Sequence, residues 1–197
     1  MSQQLGVDQI ASRGQTASGN PLRLLYAGYL LEYKGVQSII DSLYELIHVR
    51  RFCDFRLTIV GEGDYKSHLV RRSKDLGVDD FIEWKPFLSH SQHVEEMKKA
   101  DILLQLPRSE AYGLIVAEAL AMGIPAIVSQ GTALEEFIEE PGCFGVEMPP
   151  NPSEVVDLIL RVSGSGVAVG PSSGKIRTWS EVAADYERVF LMLLERE

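Results

Sequence analysis

LRLLYAGYLLEYKGVQSIIDSLYELIHV, residues 22–49, reads as one strand, one loop and one helix. Its first six residues form a short apolar run that stops at Gly28, the length of a buried strand. From Val36 the apolar side chains return every three or four residues, as on a helix with one covered face. The same unit recurs along the chain. Apolar runs follow at 55–60, 81–84, 102–106, 126–129 and 143–146, and helical spacing at 65–76, 91–99, 113–122, 152–162 and 176–194. Strands that are apolar throughout and alternate with helices indicate a parallel sheet covered on both faces. Because strand crossovers are right-handed, few topologies remain, and the simplest is a doubly wound α/β fold, a three-layer α/β/α sandwich.

Residues 1–20 carry only Asp8 and Arg13 as charges among Gly, Ser, Gln and Thr, so a linker or mobile arm is expected there, with the folded domain over 21–197. Residues 163–174, SGSGVAVGPSSG, read as a loop before the last helix. That helix carries Trp179, Val182, Tyr186, Val189, Phe190 and Leu193 in a wide apolar stripe. It looks broader than one sheet face can cover.

Composition narrows the function. The 197 residues include 19 Lys and Arg against 28 Asp and Glu, a net charge of −9, which argues against a nucleic-acid partner. Cys53 and Cys143 make no disulfide framework and the N-terminus lacks a signal-peptide pattern, so a cytoplasmic location is expected. The longest mostly apolar run, 111–128, contains Glu118, Gly123 and Pro125, which argues against a membrane span.

Ligands of open parallel sheets lie at the C-terminal strand ends, against helix N-termini, so the loops there carry the candidates. In the first loop Gly28 leaves room for a ligand and Lys34 brings a charge; both also suit an ordinary surface turn. In the second, Gly61 and Gly63 permit either close backbone approach or a purely structural turn. A dinucleotide fingerprint would need glycine where Lys66 stands, and no G-x-x-x-x-G-K-[ST] loop exists. The third stretch is LPRSEAYGLIVAEALAMG, residues 106–123. A helix starting near Gly113 offers free N–H groups to an anion, with Glu110 just ahead of it. Glu118 sits one turn inside, among apolar neighbours; buried, it needs either a Lys or Arg partner or ligand hydroxyls. His90 and His93 lack a third metal ligand and read as solvated surface, and no G-x-S-x-G elbow is present.

SEAYGLIVAEALAMGIPAIVS, residues 109–129, closely resembles the two-carboxylate motif of the family 4 (group 1) retaining glycosyltransferases, in which seven residues separate two Glu. AGYLLEYKG at 27–35 and IVGEGDYKSHL at 59–69 resemble two further loops of that family. LGVD at 5–8 resembles its interdomain entry, and TWSEVAADYERVF at 178–190 its C-terminal helix. The resemblance implies the Rossmann-like, donor-binding C-terminal half of a two-domain GT-B enzyme. It implies transfer of a sugar from a nucleotide diphosphate sugar (UDP, GDP or ADP), with no metal or other cofactor. Lys34 and the backbone N–H groups of Gly113 and Leu114 would bind the diphosphate. Glu118 would hold the ribose hydroxyls, and Glu110, the catalytic candidate, would contact the transferred sugar. Gly28, Gly61 and Gly63 would border the site. An N-terminal acceptor-binding domain is the implied partner, and membrane contact would come only through that half. Three positions depart from the pattern: Tyr29 replaces an Arg, Tyr112 a Phe, and Pro86 a Gly. The missing Arg leaves open a non-catalytic nucleotide-sugar-binding or regulatory module. A sugar-nucleotide epimerase of the same plan fits the Glu110–Glu118 spacing less well.

Overall fold

The computed structural model describes residues 20–164, residue 169 and residues 179–194. The expected arm, save Asn20, and most of the stretch 163–174 lie outside the described residues. Six strands form one sheet: β1 (Leu22–Ala27), β2 (Phe55–Val60), β3 (Ile82–Lys85), β4 (Ile102–Gln105), β5 (Ala126–Ser129) and β6 (Cys143–Val146). All pairings are parallel, in the order β3-β2-β1-β4-β5-β6. The helices are α1 (Val36–Tyr44), α2 (Lys66–Asp75), α3 (His90–Lys99), α4 (Leu114–Ala121), α5 (Pro152–Gly164) and α6 (Trp179–Leu194). A wider π turn, Glu45–Val49, prolongs α1, and short 3-10 turns lie at Glu32–Lys34, Asp79–Phe81 and Ala133–Phe137.

Alternation along the strands divides the interior into two cores. Leu24, Tyr26, Leu57, Ile59 and Leu104 face α1, α2 and α5. Leu25, Ala27, Val60, Leu103 and Val128 face α3 and α4. Each fully buried Leu or Ile contributes about 1.5–3 kcal/mol relative to exposure, so the central strands, covered on both faces, anchor the sheet. No described helix is long and apolar enough to cross a membrane.

The chain builds β1, β2 and β3 outward in one direction, then returns past β1 to start β4, β5 and β6 in the other. The loops after β1 and β4 therefore part to opposite faces, leaving a crevice at their C-terminal ends. Register fixes what meets there: Ala27 lies opposite Val60, and Leu25 opposite Leu103. In the apolar stripe of α6, Tyr186, Val189, Phe190 and Leu193 are each more than half accessible.

Candidate functional site

Lys34 and Glu110, from the loops after β1 and β4, meet at that crevice: Lys34 Nζ lies 2.9 Å from Glu110 Oε2. Their side chains are 18% and 21% exposed, so the pair is screened only in part by water. The other carboxylate oxygen, Glu110 Oε1, accepts from the Ala111 N–H at 2.9 Å. Burial disfavours the charge on Glu110, but the hydrogen bonds from Lys34 and Ala111 and the Lys34 charge outweigh it, holding the carboxyl below its ordinary value.

Several residues brace this pair. The Arg108 N–H donates to the Tyr33 carbonyl at 2.7 Å, tying the two loops together beside it. Buried Gln105 donates from Nε2 to the Ala27 carbonyl at 2.8 Å, clamping the ends of β4 and β1. Buried Ser129 donates to the Pro107 carbonyl at 2.6 Å. Tyr26 is fully buried, and its hydroxyl donates to the Tyr29 carbonyl at 2.9 Å. Burial first, then the charge of Glu110, pushes its phenol well above the usual range. Gln105, Ser129 and Tyr26 escape a reading by motif; the available signal is a polar group closing an apolar strand.

Gly113 starts α4 with φ 86° and ψ 47°, a left-handed turn that lets the chain swing from the Glu110 loop into the helix. A Cβ there would overlap the Leu134 side chain of the Ala133–Phe137 turn. The first amides of α4 thus open beside Glu110, with the positive end of the helix dipole. The second loop plays another part. A Cβ on Gly61 or Gly63 would overlap the carbonyl oxygens of Gly28 and Leu30, so this turn lies directly against the first loop. The Leu30 N–H donates to Glu62 O at 2.9 Å, completing the fit. The direction a Cβ would take from Gly28 is itself filled by the Tyr26 hydroxyl at 3.1 Å.

Two expectations need correction. Glu118 is not a buried carboxylate: its side chain is 43% exposed, because it points off α4 toward α3 rather than into the core. Its facing group is neither Lys nor Arg but His93, whose Nε2 lies 3.8 Å from Glu118 Oε2. His93 in turn is not solvated surface; at 18% exposed it is mostly covered between α3 and α4. His90, at the start of α3, is exposed. Tyr29 is 60% exposed and its ring meets Phe87 edge-on at 5.0 Å, while Lys34 Nζ lies 5.4 Å from the centre of the Tyr33 ring. Arg108 is exposed, its Nη1 3.9 Å from Glu32 Oε1.

Comparisons with known proteins bear on this arrangement. Residues 8–165 match the family model described as glycosyl transferases group 1. The GDP-mannose-dependent alpha-(1-6)-phosphatidylinositol dimannoside mannosyltransferase of Mycobacterium tuberculosis is 33% identical over 127 residues, which are 64% of this chain and 32% of that protein. The apo lipopolysaccharide outer core galactosyltransferase WaaB superposes with a TM-score of 0.62 at 25% identity, over 74% of this chain and 41% of its own. Anabaena HepE, in complex with UDP and glucose, superposes with a TM-score of 0.64 at 19% identity, over 73% of this chain and 39% of its own. The chain spans about a third of the length of the curated relatives it matches.

Proposed function

Because the chain belongs to the group 1 glycosyl transferase family and carries a Rossmann-like half of the GT-B fold, we propose that it binds the diphosphate of a nucleotide-sugar donor at the β1–β4 crevice and serves the donor side of retaining sugar transfer. The observation that carries this reading is the Lys34–Glu110 pair held beside the opening amides of α4. A diphosphate there meets an ammonium and the opening backbone N–H groups at Gly113 and Leu114. As the bond between sugar C1 and the diphosphate oxygen breaks, negative charge gathers on the departing phosphate. The same donors receive it, already oriented in a crevice walled by protein. Glu110, fixed by Lys34 and Ala111, stands where the sugar would project and selects for hydroxyls that can donate to it. Glu118, accessible on α4, takes the ribose.

UDP in the complex of Anabaena HepE and GDP-mannose in the name of the mycobacterial relative support a nucleotide sugar as donor. Neither fixes the base for this chain. Tyr29 in place of a cation leaves Lys34 and the helix amides to hold the charge, which favours weak donor binding. The acceptor side would come from a partner domain, since transfer needs both substrates enclosed together.

Calorimetric titration of the 197-residue chain with UDP, GDP and ADP tests the reading. At least one should bind, and Lys34→Ala should weaken it roughly ten- to a hundredfold, the worth of one charge-assisted contact. The chain alone should turn over no nucleotide sugar. Affinities unchanged in Lys34→Ala would remove the crevice from donor binding.

A further inference from the structure

We propose that His93 is a second binding residue of the same site, forming with Glu118 a seat for one hydroxyl of the donor's ribose. This rests on the donor-binding reading above and extends it to a residue outside the motif that suggested it.

At 3.8 Å, His93 Nε2 and Glu118 Oε2 are too far apart to hydrogen-bond to each other, yet they face one another from neighbouring helices. A partner within reach of both would satisfy both. With the ring proton on Nε2, a ligand group seated between them must donate to the carboxylate and accept from the imidazole N–H at once. A hydroxyl does both; a phosphate only accepts and is repelled by Glu118; an ammonium only donates. The pair therefore selects hydroxyl chemistry, in contrast with the anion chemistry at Lys34 and the start of α4.

The backbone that carries the imidazole is also fixed. Ser89 and Gln92 form a reciprocal cap at the start of α3, the Ser89 N–H donating to Gln92 Oε1 at 3.0 Å. The backbone N–H of His93 donates to the Ser89 carbonyl at 2.8 Å, within that capped turn. Other carboxylates of α3 are engaged elsewhere: Glu96 pairs with Lys85 and Lys99, and Glu95 with Lys98. Glu118 is the one charged residue of α4, and it stands one turn from the amides that open beside Glu110. A ribose between α3 and α4 and a diphosphate at the start of α4 are thus adjacent stations for one ligand.

The test pairs protein variants with ligand variants. Whichever of UDP, GDP or ADP the chain binds best is titrated with its 2′-deoxy and 3′-deoxy counterparts, against wild type, His93→Ala, His93→Gln, Glu118→Gln and Lys34→Ala. Wild type should lose about tenfold on removal of one of the two hydroxyls, the size of a well-formed hydrogen bond pair. His93→Ala should weaken the full nucleotide by about five- to tenfold and abolish most of the difference between it and that deoxy form. His93→Gln, whose amide can still donate, should recover part of both. If His93→Ala does not fold, His93→Gln compared with wild type still reads the discrimination. Equal loss for full and deoxy nucleotides would mean that His93 merely ties α3 to α4, which overturns the proposal. Weakening by Lys34→Ala with no effect of either His93 variant overturns it while leaving the donor reading intact. Wild-type binding of none of the three nucleotides overturns both.

Discussion

Glu110 accepts hydrogen bonds on both carboxylate oxygens, one from a side chain 76 residues away and one from the next amide along. A carboxyl whose folded value is lowered contributes stability above its unfolded value, near 4, and loses that contribution as pH falls through the folded value. Glu110→Gln should therefore melt below wild type at neutral pH, and the gap should close as pH falls from about 5 toward 3. Calorimetric melts across that range check it; a gap that stays constant would show that the pair carries no linked proton. Lys34, Glu110 and Gly113 were legible in the sequence because each advertises chemistry at a strand-to-helix loop. Tyr26, Gln105 and Ser129 were not. Their partners are backbone carbonyls 3, 78 and 22 residues away, and any residue type presents a carbonyl. His93 was misread for a related reason: its facing carboxylate lies on another helix, and only the packing of α3 against α4 makes them neighbours.

Among the elements, the second loop shows how a motif glycine can serve the fold. The turn after β2 lies under the loop after β1, backbone against backbone, where no side chain can yield. Gly61→Ala should destabilise by about 3 kcal/mol or more, through overpacking against the Gly28 carbonyl. Gly77→Ala is the control: its φ of 65° is also left-handed, but nothing lies within 4 Å of the added methyl. That change should cost about 1 kcal/mol, from backbone strain alone. Urea unfolding of both variants separates the two effects; equal losses would contradict the contact between loops. Among the described residues, strand and helix positions agree with the sequence to within a residue or two, because buried strands leave a nearly unbroken apolar record and helices a three- or four-residue spacing. β3 begins at Ile82, one residue later than its apolar run, because Phe81 closes the 3-10 turn Asp79–Phe81, its N–H donating to the Val78 carbonyl at 3.1 Å. Five-residue turns such as Ala133–Phe137 are too short to show a period, although this one packs against Gly113 and so shapes the start of α4.

Across the whole molecule, the alternation of strands and helices told the layers and the doubly wound plan, while contact between distant loops had to await the fold. The last helix stands apart in its exposure. Phe190 is 60% accessible, so Phe190→Glu should change the unfolding free energy by less than about 0.5 kcal/mol. A larger loss by urea titration would mean that α6 is packed more tightly than its surface indicates. The strand order has a further consequence, during synthesis. β1 occupies the middle of the sheet but is made first, and the strand that covers its second edge follows only about 75 residues later. At about 5–20 residues per second, translation leaves that edge bare for roughly 4–15 s. Its sequence, LRLLYA, is apolar but for Arg23. The nascent chain thus carries an open, adhesive strand edge for seconds, and the arginine near its start is the one charge that discourages another chain from adding there.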